Sequence, residues 1–141
     1  MSEIALPKID SSILNRKKEI VKRISKLTHK ENVLSEADEL RPYETDALSV
    51  YTQTPLAVVL PENTEEVSEI LKYCHSENIK VVPRGAGTGL SGGALPLQDA
   101  ILLGLGKFNK ILDIDFHNQC VVTQLCNNTL IMEINLSLIH I

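Results

Sequence analysis

Five of the chain's seven glycines, Gly85, Gly87, Gly89, Gly92 and Gly93, fall within nine residues, directly after the short apolar run Ile79-Lys80-Val81-Val82 that Pro83 closes. No regular element accommodates such a segment. In a helix interior each glycine costs about 1 kcal/mol relative to alanine, and in a strand it removes the side chain that packs the face. The cluster is therefore a loop springing from the end of a strand, and the rest of the fold has to be arranged around it.

The residues before it supply a frame. Leu56-Ala57-Val58-Val59-Leu60, ended by Pro61, is a continuous apolar run rich in β-branched residues, which suits a strand buried on both faces. Asn63 and Glu66 have the spacing of a capping box, and Val67, Ile70, Leu71 and Cys74 recur at helical intervals. Asn78 is a candidate left-handed terminator before the second strand, Ile79 to Val82, which is expected to stop at Pro83. Strand, helix and strand make one βαβ unit. Beyond the glycines, Ala100 to Leu103, Ile111 to Ile114 and Gln119 to Gln124 read as strands, the last two joined through Phe116-His117-Asn118 as a hairpin. The class on this reading is α/β or α+β with a small sheet.

Residues 1–50 read as a helical leader ahead of a main domain over residues 51–124. Asp10, Ser11 and Ser12 are caps for a helix running to about His29, and residues 31–46 form a polar connector with one extended stretch at Asn32 to Leu34. Arg16, Lys17, Lys18, Lys22, Arg23 and Lys26 interleave with Ile13, Ile20, Ile24 and Leu27 at helical spacing, with no aromatic residue for stacking on bases. The basic block is thus read as a solvated helix face, and no nucleic-acid partner is expected.

At 141 residues, 43% hydrophobic and 23% charged, the chain has the composition of one globular domain. No apolar run reaches the roughly 18 to 20 residues of a membrane span, and the first nine residues lack the order of a signal peptide, so a cytoplasmic location is expected. Cys74, Cys120 and Cys126 have neither CxxC nor metal-knuckle spacing and are read as reduced structural residues. No metal site is expected.

The chemistry sits in Arg84-Gly85-Ala86-Gly87-Thr88-Gly89-Leu90-Ser91-Gly92-Gly93-Ala94. Glycines let the backbone take positive φ and approach a ligand, so that successive N–H groups converge on an anion as a nest, and a pyrophosphate is the natural guest. Arg84 adds charge, while Thr88 and Ser91 add hydroxyl donors. Gly87-x-Gly89-x-x-Gly92 also satisfies the dinucleotide fingerprint, with Asp113 some 20 residues on. That reading requires a helix opening at residues 89–92 and pyridine-nucleotide binding, yet no helical period begins there. A P-loop fails because Gly93 and Ala94 stand where Lys and Ser/Thr are required. A glycine-rich turn with no ligand would lose the same conformational entropy with no binding to offset it.

Pro55-Leu56-Ala57-Val58-Val59-Leu60-Pro61, the helix start Thr64-Glu65-Glu66-Val67 and above all residues 83–94 resemble the FAD-binding domain of the vanillyl-alcohol oxidase and p-cresol methylhydroxylase superfamily. Within it, the chain is most similar to the FAD-binding subunit of glycolate oxidase and its D-lactate and D-2-hydroxyglutarate dehydrogenase relatives. Arg41-Pro42-Tyr43-Glu44-Thr45-Asp46 and Ile111-Leu112-Asp113-Ile114-Asp115 also resemble that family, and the resemblance spans residues 32–124. It implies an α+β fold in which two lobes clasp FAD, this chain being the amino-terminal lobe. It also implies cofactor-binding residues Pro83, Arg84, Gly85, Ala86, Gly87, Thr88, Gly89, Leu90, Ser91 and Gly92. Some relatives tether the flavin through a His inside this loop. This loop has none, so noncovalent FAD is implied, and His75 and His117 are read as surface residues. The implied activity is oxidation of a small 2-hydroxyacid, with electrons passing to a partner subunit or carrier. No catalytic set lies in the chain itself.

After Gln124 the pattern departs from the family's Pro-Gly and helix. Residues 125–141 are expected to be non-native, from a frameshift or from a sequencing adapter whose translation would read Leu136-Ser137-Leu138-Ile139-His140-Ile141.

Overall fold

The structure, a computed structural model, describes residues 7–124. The expectation of a non-native tail concerns residues outside that span.

A single leader helix is expected; two short ones form instead, α1 (Ser11–Asn15) and α2 (Lys17–Ile24). Asp10 caps the first by accepting the Ser12 N–H at 2.9 Å. The break falls at Arg16, whose N–H turns back onto the Ile13 carbonyl at 3.1 Å and closes the turn early. Asn15, a poor helix former, precedes it. The two-residue strand β1 (Val33–Leu34) and the short helix α3 (Ala37–Leu40) follow, and then a 3-10 turn over Arg41–Tyr43.

Strand β2 (Ala57–Val59) is buried throughout, as its unbroken apolar run predicts. Helix α4 (Thr64–Ser76) opens with the N-cap half of the expected box: Asn63 Oδ1 accepts the Glu66 N–H at 2.8 Å, whereas the Glu66 carboxylate accepts from the Asn63 side-chain Nδ2 at 2.9 Å and from the Glu62 N–H at 3.1 Å and not from the Asn63 backbone. Removing such a cap costs about 1 kcal/mol. Asn78 then takes a left-handed φ of 54° and releases the chain into β3 (Lys80–Arg84). This strand continues past Pro83, where it was expected to stop. It lies at the edge of the sheet, where a missing backbone donor is tolerated.

Strand β4 (Ala100–Gly104) is wholly buried, and a hairpin of β5 (Ile111–Asp115) and β6 (Cys120–Thr123) forms a separate two-stranded sheet. Its turn holds Gln119 at a φ of 55°, and the Asn118 N–H donates to Asp115 Oδ1 at 2.9 Å.

The main sheet has the order β1-β2-β4-β3. β4 inserts between the two strands of the βαβ unit and pairs parallel with both, while β1 adds antiparallel to β2. One face carries the larger core, in which Ile13, Ile20 and Ile24 of the leader join Ala57, Val59, Ile70, Cys74, Ile101 and Leu103. The other face holds Leu40, Val58 and Leu102, with Tyr43 packed on them. Helices and strands thus form a mixed α+β lobe, and the carboxyl ends of β2, β4 and β3 share one edge.

Candidate functional site

The glycine segment leaves the carboxyl end of edge strand β3 and travels as irregular backbone to β4, with no helix in between. The helix demanded by a dinucleotide Rossmann site is therefore absent, and Asp113, its proposed ribose partner, lies exposed on β5. Open crevices at the carboxyl ends of parallel strands are where α/β sheets take ligands.

Two glycines set the path of the loop. Gly87 has a φ of 73° and Gly92 a φ of 75°, conformations that a β-carbon makes costly. Among the described residues, no backbone N–H of residues 86–93 donates to a protein acceptor. A run of unengaged amides with left-handed residues interspersed, here Gly87 and Gly92, is what an anion nest requires. Around Gly89 and Gly93 no atom lies within 4 Å of where a β-carbon would stand, so this side of the loop is open to close approach. Thr88 and Ser91 are exposed, and Leu90 is 73% exposed. The loop therefore has one side, at Gly89 and Gly93, on which a ligand could approach the backbone closely.

Pro83 and Arg84 belong to β3 and form the stem of the loop, opposite Leu103 and Gly104. The Arg84 side chain is held away from the open side: Nη1 donates to the Thr45 carbonyl at 2.5 Å, and Cζ lies 5.9 Å from the centroid of the Tyr43 ring. The segment that receives it was read from sequence as part of a polar connector. Its signal was present in the family-like run from Arg41 to Asp46, but spacing alone gave no reason to place it against the glycines. Asp46 is 5% exposed. Its Oδ1 accepts the Leu48 N–H at 2.8 Å, and its Oδ2 has no donor among the described residues.

The residues set aside from sequence stay apart from the loop's chemistry. His75 is exposed on α4 and His117 in the hairpin turn. Cys74 is buried, and burial pushes its thiol up to about 11, while Cys120 is exposed. Among the described residues no group of three or more His, Cys, Asp or Glu side chains could hold a metal, and no helix is long and apolar enough to cross a membrane.

Comparison with known proteins agrees with this geometry. The glycolate oxidase subunit GlcD of Escherichia coli strain K12 is 46% identical over 112 residues, which is 79% of this chain and 21% of that protein. The mitochondrial D-2-hydroxyglutarate dehydrogenase of Arabidopsis thaliana is 42% identical over 84 residues, 60% of this chain and 15% of that protein. The chain thus spans about a fifth or less of the length of these relatives. Among solved structures, p-cresol methylhydroxylase with substrate bound superposes with a TM-score of 0.62 at 29% identity, over 76% of this chain and 21% of that one. Alkyldihydroxyacetonephosphate synthase shares the fold, with a TM-score of 0.74 at 18% identity over 96% of this chain and 26% of that one. The family model described as "FAD binding domain" matches residues 55–128, from β2 through the glycine loop and the hairpin. That match covers more than half of the chain and takes in the glycine loop, so this chain belongs to the FAD binding domain family, and its cofactor is FAD.

Proposed function

We propose that residues 85–92, carried on the stem Pro83-Arg84, cradle the pyrophosphate of noncovalently held FAD in an enzyme that oxidises a small 2-hydroxyacid of the glycolate or D-lactate type. The observation that carries this reading is the run of backbone amides in residues 86–93 left free of protein acceptors on a backbone set by two left-handed glycines. FAD, when bound, would supply the redox chemistry as the two-electron acceptor for oxidation of the hydroxyl-bearing carbon, a reaction that releases a hydride equivalent from that carbon and a proton from its hydroxyl. The residues of this chain bind and orient: the loop amides offer donors to the diphosphate oxygens, Thr88 and Ser91 add hydroxyls beside them, and the sheet edge fixes where the loop starts and ends.

The similarity to a glycolate oxidase subunit and to D-2-hydroxyacid dehydrogenases supports the substrate class and the transfer of electrons to a partner subunit or carrier. The enzyme works in the cytoplasm, with any membrane association made through such partners. The described residues of this chain supply one wall of the flavin enclosure and no catalytic set, so the chain by itself binds FAD weakly and does not turn over.

Purification of the whole protein that carries this chain tests the reading. Flavin absorbance is expected in the folded protein, released by acid denaturation, and bleached anaerobically by glycolate or D-lactate. A folded protein that retains no flavin and binds none on titration refutes the cofactor role of the loop. Flavin that binds but is not bleached by any small 2-hydroxyacid refutes the substrate class alone.

A further inference from the structure

One segment outside the glycine loop is bonded to it at Gly87 and runs beside it at Gly92, its two left-handed residues. The Ala47 N–H donates to the Gly87 carbonyl at 2.9 Å. The Thr45 carbonyl takes the Arg84 guanidinium, which occupies the space a β-carbon on Gly87 would fill. At Gly92 the nearest atom to a β-carbon would be Leu48 Cδ2, at 3.8 Å. Residues 43–48 thus form a strap across the protein side of the loop, leaving the side at Gly89 and Gly93 open.

The strap is itself anchored at its start and braced from within. Tyr43 packs on Leu40, Val58 and Leu102, and so stands on the sheet. The Leu48 N–H is held by Asp46 Oδ1, and the Gln53 N–H donates to the Glu44 carbonyl at 2.9 Å. A guanidinium that rests on a ring face and is bonded to a carbonyl is already committed. A loop rich in glycine loses much conformational entropy when a ligand orders it, and a contact that orders it beforehand strengthens binding without touching the ligand.

We infer that residues 43–48 are a positioning strap that holds the flavin loop in its binding conformation, with Arg84 as the pin and Tyr43 as the support on which the pin rests. The inference rests on the reading of residues 85–92 as the pyrophosphate cradle. It assigns Arg84 to the strap in place of the phosphate. Tyr43 becomes a determinant of flavin affinity although it belongs to the protein side of the loop.

The test uses the whole protein carrying this chain in its flavin-free and FAD-titrated forms. Y43A is expected to weaken FAD binding about tenfold, as loss of a partly desolvated cation–π contact would. Y43F binds like the parent, because the ring and not the hydroxyl supports the pin. R84A weakens binding to a similar degree, and the Y43A/R84A double variant is no weaker than R84A alone. In the flavin-free protein, Y43A speeds hydrogen exchange of the amides in residues 85–93. Unchanged FAD affinity in Y43A beside a loss in R84A overturns the strap and returns Arg84 to the phosphate. Additive losses in the double variant overturn it as well. If Y43A does not fold, Y43L keeps apolar bulk on Leu40, Val58 and Leu102 without a π face and gives the same readings. If the parent protein binds no FAD, the cradle reading fails, and the exchange measurement alone decides the strap.

Discussion

The hydrogen of Gly87 faces the guanidinium of Arg84, whose Cζ would lie 2.6 Å from a β-carbon at that position. With a φ of 73°, any side chain at residue 87 meets a steric conflict and a strained backbone together. G87A is therefore expected to lower the stability of the flavin-free protein by about 1 to 3 kcal/mol. At Gly89, where no atom lies within 4 Å of a β-carbon, G89A is expected to leave that stability unchanged and to weaken FAD binding by narrowing the open side of the loop. Thermal melts with and without FAD separate the two effects. Equal melts for both variants in the flavin-free protein would contradict the division between a strapped side and an open side.

Asp99 is 2% exposed and takes two donors, Lys80 Nζ at 2.7 Å and the Asp10 N–H at 2.7 Å, which together tie the leader and the start of β3 to the start of β4. Burial pulls its carboxyl upward, but the two donors and the Lys80 charge outweigh that and hold it below its ordinary value of 3.8. A carboxyl lowered in the folded state contributes stability that is fully present above its unfolded value and is lost as pH falls through the folded one. Denaturant melts should therefore weaken below about pH 4, and D99N should flatten that acid limb while costing about 2 kcal/mol at neutral pH. An acid limb that is as steep in D99N as in the parent would remove Asp99 as its source.

Asp46 offers a cleaner comparison, because its two oxygens differ. D46N keeps Oδ1 for the Leu48 N–H and removes the charge from a buried group whose Oδ2 has no donor among the described residues. Its stability is expected to equal or exceed that of the parent by up to about 1 kcal/mol, whereas D46A, which loses the turn bond, should fall by about 1 kcal/mol. Urea melts of the three proteins check this order. D46N falling below D46A would mean that a donor from elsewhere in the whole protein reaches Oδ2.

The two described cysteines should part company under alkylation. With the thiol of Cys74 raised to about 11 and its side chain 1% exposed, only about one molecule in a thousand carries the thiolate at pH 8. Cys120 is exposed and is expected to label rapidly, while Cys74 labels only after unfolding. Peptide-resolved mass spectrometry of iodoacetamide-treated protein reads both, and rapid labelling of native Cys74 would show that α4 opens locally.

What could be read from sequence followed from local chemistry. The cap at Asn63, the terminator at Asn78, the buried run of β2 and the hairpin turn at Asp115 to Gln119 each depend on residues within a few positions of one another. The glycine loop was legible for the same reason. Three features depend on distant partners and were not. β3 runs through Pro83 because it is an edge strand, which only the placing of β4 decides. The leader breaks at Arg16, whose side chain reaches Glu77 at 2.5 Å as well as Glu19 at 3.2 Å. Tyr43, Thr45 and Ala47 meet Arg84 and Gly87 across some forty positions of chain, and no spacing rule predicts that meeting.

The strand order has a kinetic consequence. β4 is the last strand of the main sheet in the chain and yet lies at its centre, between β2 and β3. During synthesis, residues 33–84 emerge with the two outer seams facing each other across a gap, and neither parallel pairing exists until residues 100–104 arrive. The glycine loop is the thread on which that closing strand swings into place. Non-local pairings of this kind are slow to form and leave apolar edges uncovered while they wait. The strap that shapes the loop for a ligand therefore also shortens the search by which the sheet completes itself, and substitutions that slacken it should appear first as poor refolding yield.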